Sequence, residues 1–203
     1  MNNLKLLGKI LYWIAYYSVS LYFKIVHHWK IKGKANRPEN GPLIVMANHT
    51  SVFDPPLIGC IMNRQVHFMA KKELFKNPIF GGFLKGIGTF PVKRGKPDRS
   101  ALKNAFKLLN NDKVICIFPE GTRHKPGNMG KAKAGAVMIA LKSQAPILPV
   151  GITNTKNDKN LEISIGKPFT LDEYYNKKIQ REERKEVGKV IMKKINDEIK
   201  TLK

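Results

Sequence analysis

Cysteine is scarce in this 203-residue chain, acidic residues are outnumbered, and no apolar run reaches bilayer length. The two cysteines, Cys60 and Cys116, are too few and too far apart for a disulfide framework or a thiolate metal cluster. Both fall in apolar segments, so they are expected to be core residues in a reducing compartment. The histidines show no metal-ligand spacing: His27 and His28 are adjacent, while His67 and His124 stand alone. No metal is expected. A G-x-S-x-G turn is missing, which removes the hydrolase-type serine elbow. No internal repeat or low-complexity tract is present.

The shortage of acid is the largest compositional signal. Lys plus Arg number 37 against 15 Asp plus Glu, a formal charge of +22. Such an excess calls for an anionic partner: a phospholipid surface, a phosphorylated substrate, an acidic carrier protein or nucleic acid. About +6 lies in residues 1–40, about +13 in 41–169 and about +3 in the tail, so the excess is not a separable basic arm. The stretch from Arg64 to Lys107 is densest, with eleven basic and two acidic residues. It carries no aromatic pattern of an RNA-recognition type, so no nucleic acid is expected as partner.

An uncharged, aromatic-rich run from Ile10 to Phe23 is ILYWIAYYSVSLYF between Lys9 and Lys24. Spanning a bilayer takes about 20 apolar residues, and a run of this length more often marks a buried or interfacial helix. Its Tyr and Trp content suits the headgroup region. A small-x-small cleavage pattern is missing where a signal peptide would carry one. Residues 3–28 are therefore expected to form a helix lying in, or dipping into, the cytoplasmic face of a membrane with an anionic surface. The competing expectation is a helix packed on the protein's own core. The Pro38-containing stretch 36–40 reads as a hinge, dividing a membrane-associating segment, 1–35, from a domain, 36–203.

Beyond the hinge, strand and helix signals alternate. Apolar strands are expected at 43–47, 66–70, 89–92, 114–118, 147–152 and 161–165, and helices at 55–62, 72–85, 99–109 and 131–143. From 177 to 203 a charged helix carries Val187, Ile191, Ile195, Ile199 and Leu202 as one apolar stripe. The pattern is α/β, a mixed sheet flanked by helices, with ligands gathered where strands end.

The polar motifs fall at those ends. Asn48-His49-Thr50-Ser51-Val52-Phe53-Asp54 sets a histidine and a carboxylate five residues apart after the first strand. At that separation Asp54 can fold back, hold the proton on one ring nitrogen and leave the other as a general base. Asp54-Pro55 is also what a helix start looks like. Gly88 to Gly95 is a short strand ending in Lys93 and Arg94, and Phe118-Pro119-Glu120-Gly121-Thr122-Arg123 follows another. A guanidinium meets phosphate through two parallel hydrogen bonds, so Arg94 and Arg123 are candidate phosphate ligands. A solvated strand end and a Pro-Glu-Gly turn are the ordinary alternatives.

Together with the proline-bracketed strand 145–151, these blocks resemble the lysophosphatidic acid acyltransferase family of the glycerol-3-phosphate acyltransferase superfamily, over about 41–154. N-H-x-S-x-x-D and F-P-E-G-T-R, about seventy residues apart, are its specific signatures. The resemblance implies a glycerolphosphate acyltransferase-like fold and a 1-acylglycerol-3-phosphate O-acyltransferase activity. The acceptor would be the sn-2 hydroxyl of lysophosphatidic acid, the donor an acyl-CoA or acyl carrier protein thioester, the product phosphatidic acid, and no cofactor would be used. It assigns His49 and Asp54 to catalysis and Arg94, Glu120, Gly121, Thr122 and Arg123 to the acceptor. Glycerol-3-phosphate or another lysophospholipid is the alternative acceptor, and a noncatalytic basic binder of membranes or nucleic acid the remote one. Phe90-Pro91 and His124 depart from the family's usual text.

Overall fold

The structure, a computed structural model, describes residues 2–93, 95, 98–153 and 160–202. Among the described residues seven strands form one sheet: β1 (Lys30–Lys32), β2 (Leu43–Ala47), β3 (Val66–Lys71), β4 (Phe90–Val92), β5 (Val114–Ile117), β6 (Ile147–Ile152) and β7 (Glu162–Ile165). Their order is β1-β7-β6-β2-β5-β3-β4, parallel throughout except for the β6–β7 pair. The sheet is therefore mixed, as expected, and β2 lies at its centre.

Every residue of β2 is buried, and its side chains alternate between two cores. Ile44 and Met46 face α4 (Arg99–Leu109), α5 (Ala134–Ser143) and α6 (Arg181–Lys200). Leu43, Val45 and Ala47 face α1 (Asn2–Val26) and α2 (Asp54–Ile61). The stripe on α6 buries Val187, Ile191 and Ile195 completely, which is why so charged a helix packs at all.

Three features differ from the pattern in the sequence. The expected helix 72–85 is split into a 3-10 turn, Lys72–Phe75, and a helix α3, Pro78–Gly86, because Asn77 caps a new start by accepting the Phe80 amide and Pro78 takes the first helical position. The short β1 was silent: three residues with an exposed-intermediate-exposed pattern carry no strand signal. Its pairing with β7 reaches back across residue 35. The expected hinge is also tied to the domain, since Asn36 Nδ2 donates to the Ile165 carbonyl and Arg37 Nη1 to that of Ile61.

The expectation of a helix packed on the protein's own core describes one side of α1. Tyr12 and Phe23 are buried, and the Tyr12 hydroxyl accepts the Val66 amide at 3.0 Å. The opposite side leaves Leu7, Ile10, Ile14, Tyr17, Leu21 and Ile25 exposed at three- and four-residue spacing. Gly8 meets Gly86 so closely that a Cβ would lie 2.8 Å from the Gly86 carbonyl oxygen, which brings α1 against α3. No described helix is long and apolar enough to cross a membrane.

Candidate active site

Because β2, β3, β4 and β5 run parallel, the segments leaving their carboxyl ends gather on one side of the sheet. Asn48 prolongs β2 with its side chain: its amide donates to the Ile152 carbonyl and accepts the Ile152 amide, both at 2.9 Å. That pair carries the β2–β6 ladder one residue further and fixes where the chain turns. His49 follows at once.

The turn brings His49 and Asp54 together. Nδ1 of His49 lies 2.9 Å from Asp54 Oδ2, and the same oxygen accepts the Thr50 and Ser51 amides at 2.7 and 2.8 Å. Asp54 is fully buried and begins α2, yet these bonds all come from residues upstream of the helix. The carboxylate thus closes the 49–54 turn as well as facing the imidazole. With the Nδ1 proton on the carboxylate side, Nε2 carries the basic lone pair. Phe118 stacks on the imidazole, centroid to centroid 4.2 Å and 21° between planes. Ser51 is buried, and its hydroxyl accepts the Phe53 amide at 3.2 Å.

His49 also lies in the wall of a cavity of about 650 Å³. Tyr12, Tyr16, Gly59, Phe68, Phe80 and Phe83 line its apolar body, so α1, α2, β3 and α3 all contribute. Thr89, Lys71 and Arg123 add polar groups to the lining. A volume of this size suits a lipid-sized ligand. Cys60 lines the wall too, and burial pushes its thiol up to about 11.

The F-P-E-G-T-R turn is placed beside His49. Gly121 has φ of +68° and its amide reaches back to the Phe118 carbonyl at 3.0 Å, so a side chain there would be strained. Thr122 and Arg123 are exposed. Glu120 is 1% exposed, with Oε1 3.0 Å from the His49 amide and Oε2 2.7 Å from the Gly130 amide. Arg94 lies outside the described residues. Among the described residues nearby, Asp98 accepts the Lys93 amide at 2.8 Å and caps α4 through Ser100 and Ala101.

Residues 28–153 match the acyltransferase family. This chain belongs to it. The acyltransferase is 36% identical over 147 residues to a 1-acyl-sn-glycerol-3-phosphate acyltransferase of Bacillus subtilis, covering 69% of this chain and 73% of that protein. A protein of the same name from Streptococcus pneumoniae is 33% identical, covering 71% of this chain and 59% of its own length. In fold the acyltransferase resembles the crystal structure of the 1-acyl-sn-glycerophosphate acyltransferase of Thermotoga maritima, with a TM-score of 0.65 and 25% identity over 97% of this chain and 78% of that one.

Sequence reasoning did not find the cavity. Its α1 wall was signalled only by Tyr12, Ala15, Tyr16 and Val19, one face of a helix that composition alone marks as interfacial. Phe118 was visible as a motif residue but not as the plane against which the imidazole rests. The Gly130 amide had no signal, since its partner Glu120 is ten residues away.

Proposed function

We propose that this acyltransferase moves a fatty acyl group from an acyl thioester to the sn-2 hydroxyl of lysophosphatidic acid, yielding phosphatidic acid and a free thiol. One observation carries the reading: an Asp54-held imidazole faces an apolar cavity whose lining also includes Arg123. The cavity accommodates the acyl chain and brings the thioester carbonyl to His49. Nε2 takes the hydroxyl proton as the oxygen attacks the carbonyl, and Asp54 stabilises the imidazolium that develops. Collapse of the tetrahedral adduct expels the thiolate, which recovers the proton from Nε2. The balance is one ester formed and one thioester broken, with no cofactor or metal in the step. Direct attack is favoured over an acyl-serine because no G-x-S-x-G elbow presents a serine nucleophile in this chain.

Arg123, and Arg94 beside it in role, grip the acceptor phosphate, a contact that a planar guanidinium makes with two parallel bonds. Thr122 and Gly121 complete the acceptor turn. The donor is acyl-CoA or acyl carrier protein, both anionic and both suited to a strongly basic approach surface.

The acyltransferase works as a peripheral or monotopic protein on the cytoplasmic face of the cell membrane. The exposed stripe of α1 is matched by Ile79, Phe80 and Phe83 on α3 and by Val52 and Leu74, four of which (Val52, Leu74, Phe80 and Phe83) also line the cavity. Exposed Lys72 and Lys76 ahead of α3 and Lys85 in its last turn meet anionic headgroups. Burying each exposed Ile, Leu or Phe is worth about 1.5–3 kcal/mol, so a few of them suffice for binding.

The deciding experiment incubates purified protein with acyl-CoA or acyl carrier protein thioester across a panel of acceptors and follows thiol release. Lysophosphatidate is expected to release thiol stoichiometrically with phosphatidate formed. Faster transfer to glycerol-3-phosphate or another lysophospholipid would reassign the acceptor. Folded, lipid-bound protein that failed to release thiol with every acceptor and both donors would be a noncatalytic basic binder.

A further inference from the structure

We propose that Glu120 is a positioning residue for His49, setting the base in place through the backbone, and does not bind the acceptor's glycerol. The inference rests on His49 acting as the base and concerns what holds that residue still.

Both carboxylate oxygens of Glu120 are engaged by peptide groups. Oε1 accepts the His49 amide at 3.0 Å and Oε2 accepts the Gly130 amide at 2.7 Å. At 1% exposure the group has almost no surface to offer a substrate. A carboxylate so deeply buried persists only when its oxygens are satisfied, and two charge-assisted bonds from amides do that. The other peptide group of His49 is held from the same turn, because the His124 amide donates to the His49 carbonyl at 2.8 Å. His49 is thereby gripped on both sides of its Cα, while Asp54 holds the ring. An imidazole fixed at backbone and at Nδ1 has little freedom left to misplace Nε2.

The same carboxylate reaches the basic segment that follows the motif. Lys133 donates its amide to the Pro119 carbonyl at 2.8 Å, closing the neck of a loop that carries Arg123, Lys125 and Lys131. Within that loop Gly130 sits against His124 and Glu120, where a Cβ would lie 2.5 Å from His124 Nε2 and 3.2 Å from Glu120 Oε2. His124 Nε2 is itself 3.5 Å from Oε2. Glu120 is thus the joint between the base and the loop that bears Arg123. Its loss disturbs the chemistry, whereas loss of Arg123 disturbs the acceptor.

The test uses the full chain. Glu120→Gln keeps the shape but leaves one of the two amides facing an NH2 group, so one bond is lost. We expect kcat to fall at least about tenfold, comparable to a misplaced catalytic group. The KM for lysophosphatidate, and its Kd by calorimetry with monomeric lysophosphatidate, should stay within about twofold, as for an interaction outside substrate binding. The downfield proton resonance of His49 Nδ1 should shift, and Arg123→Lys should leave it in place. Gly130→Ala approaches the carboxylate from the loop and should reproduce this pattern, keeping the question answerable if Glu120→Gln does not fold. A weakened lysophosphatidate Kd with an unmoved resonance would overturn the proposal, and so would wild-type kcat with an unmoved resonance. Should wild type show no turnover, the base reading fails, while the Kd and the resonance still decide the place of Glu120.

Discussion

The turns at the ends of β2 and β5 and the wall built by α1 and α3 border one cavity but are held in opposite ways. In the turns nearly every named polar group has a protein partner within 3.2 Å: Asn48 with Ile152, His49 with Asp54 and Glu120, Ser51 with Phe53. The wall is held by apolar packing of Tyr12 and Phe23 and by a glycine contact, and it leaves Ile79 85% exposed. Hydrogen bonds fix atoms to tenths of an ångström, as a proton transfer requires, whereas apolar burial fixes only which side faces lipid. Replacements in the turns should therefore change rate, and replacements on the wall should change partitioning.

The largest effect tests the first half of that contrast. His49→Ala should lower transfer by about a hundredfold to ten-thousandfold, the range for a general base, at unchanged melting temperature. Asp54→Asn should lose most activity as well, because its amide no longer stabilises the imidazolium. Wild-type turnover in Asp54→Asn would reduce Asp54 to a turn-closing residue.

On the wall, two sides of one helix should separate. Phe23 is fully buried and stacks on Trp29, so Phe23→Ala should cost about 3–5 kcal/mol in denaturant unfolding. Ile14→Glu with Leu21→Glu, on the exposed stripe, should leave unfolding nearly unchanged and abolish flotation with anionic liposomes. Salt should weaken but not remove flotation of the wild type, since apolar burial survives screening. Undiminished flotation of the double variant would shift the contact to α3.

A smaller effect lies at the cavity's polar lining. Arg123→Lys keeps the charge and loses the planar fork, so the KM for lysophosphatidate should rise about tenfold, the scale of one charge-assisted hydrogen bond. The KM for the acyl donor should hold within about twofold. An equal rise in both would give Arg123 to the donor.

What the sequence made legible follows the same division. Strands and helices carried by strong periodicity, such as β2, β6 and α4, stand within a residue of where the pattern puts them, because burial dictates that pattern. His49 and Asp54 were legible because their geometry is local, five residues and one turn. Glu120 could be seen, but its partners could not: His49 is 71 residues away and Gly130 answers with a backbone amide, which no side-chain pattern records. β1 failed for the opposite reason, as an edge strand of three residues needs no hydrophobic signature. The split of 72–85 was written in Asn77-Pro78, a start signal masked by apolar residues on either side.

The smallest expected effect concerns Asp98, just before α4. Hydrogen bonds from the Ser100 hydroxyl, then the Lys93 and Ala101 amides, hold the Asp98 carboxyl down to about 2. Its folded value thus lies below the unfolded one, near 3.9. The stability it contributes is present above about pH 4 and lost as pH falls from there toward 2. Asp98→Ala removes this cap and should cost about 1 kcal/mol at pH 7. The gap between wild type and Asp98→Ala should close on acidification toward pH 2, measured by denaturant unfolding at each pH. Because the same carboxylate holds the Lys93 amide, the variant should also raise the KM for lysophosphatidate modestly, by about twofold to threefold, on the ground that a small misplacement of a positioning segment is felt at the acceptor. A stability gap that stayed constant with pH would mean that the cap acts through Asp98's shape and not its charge, and an unchanged KM would detach Asp98 from the acceptor site.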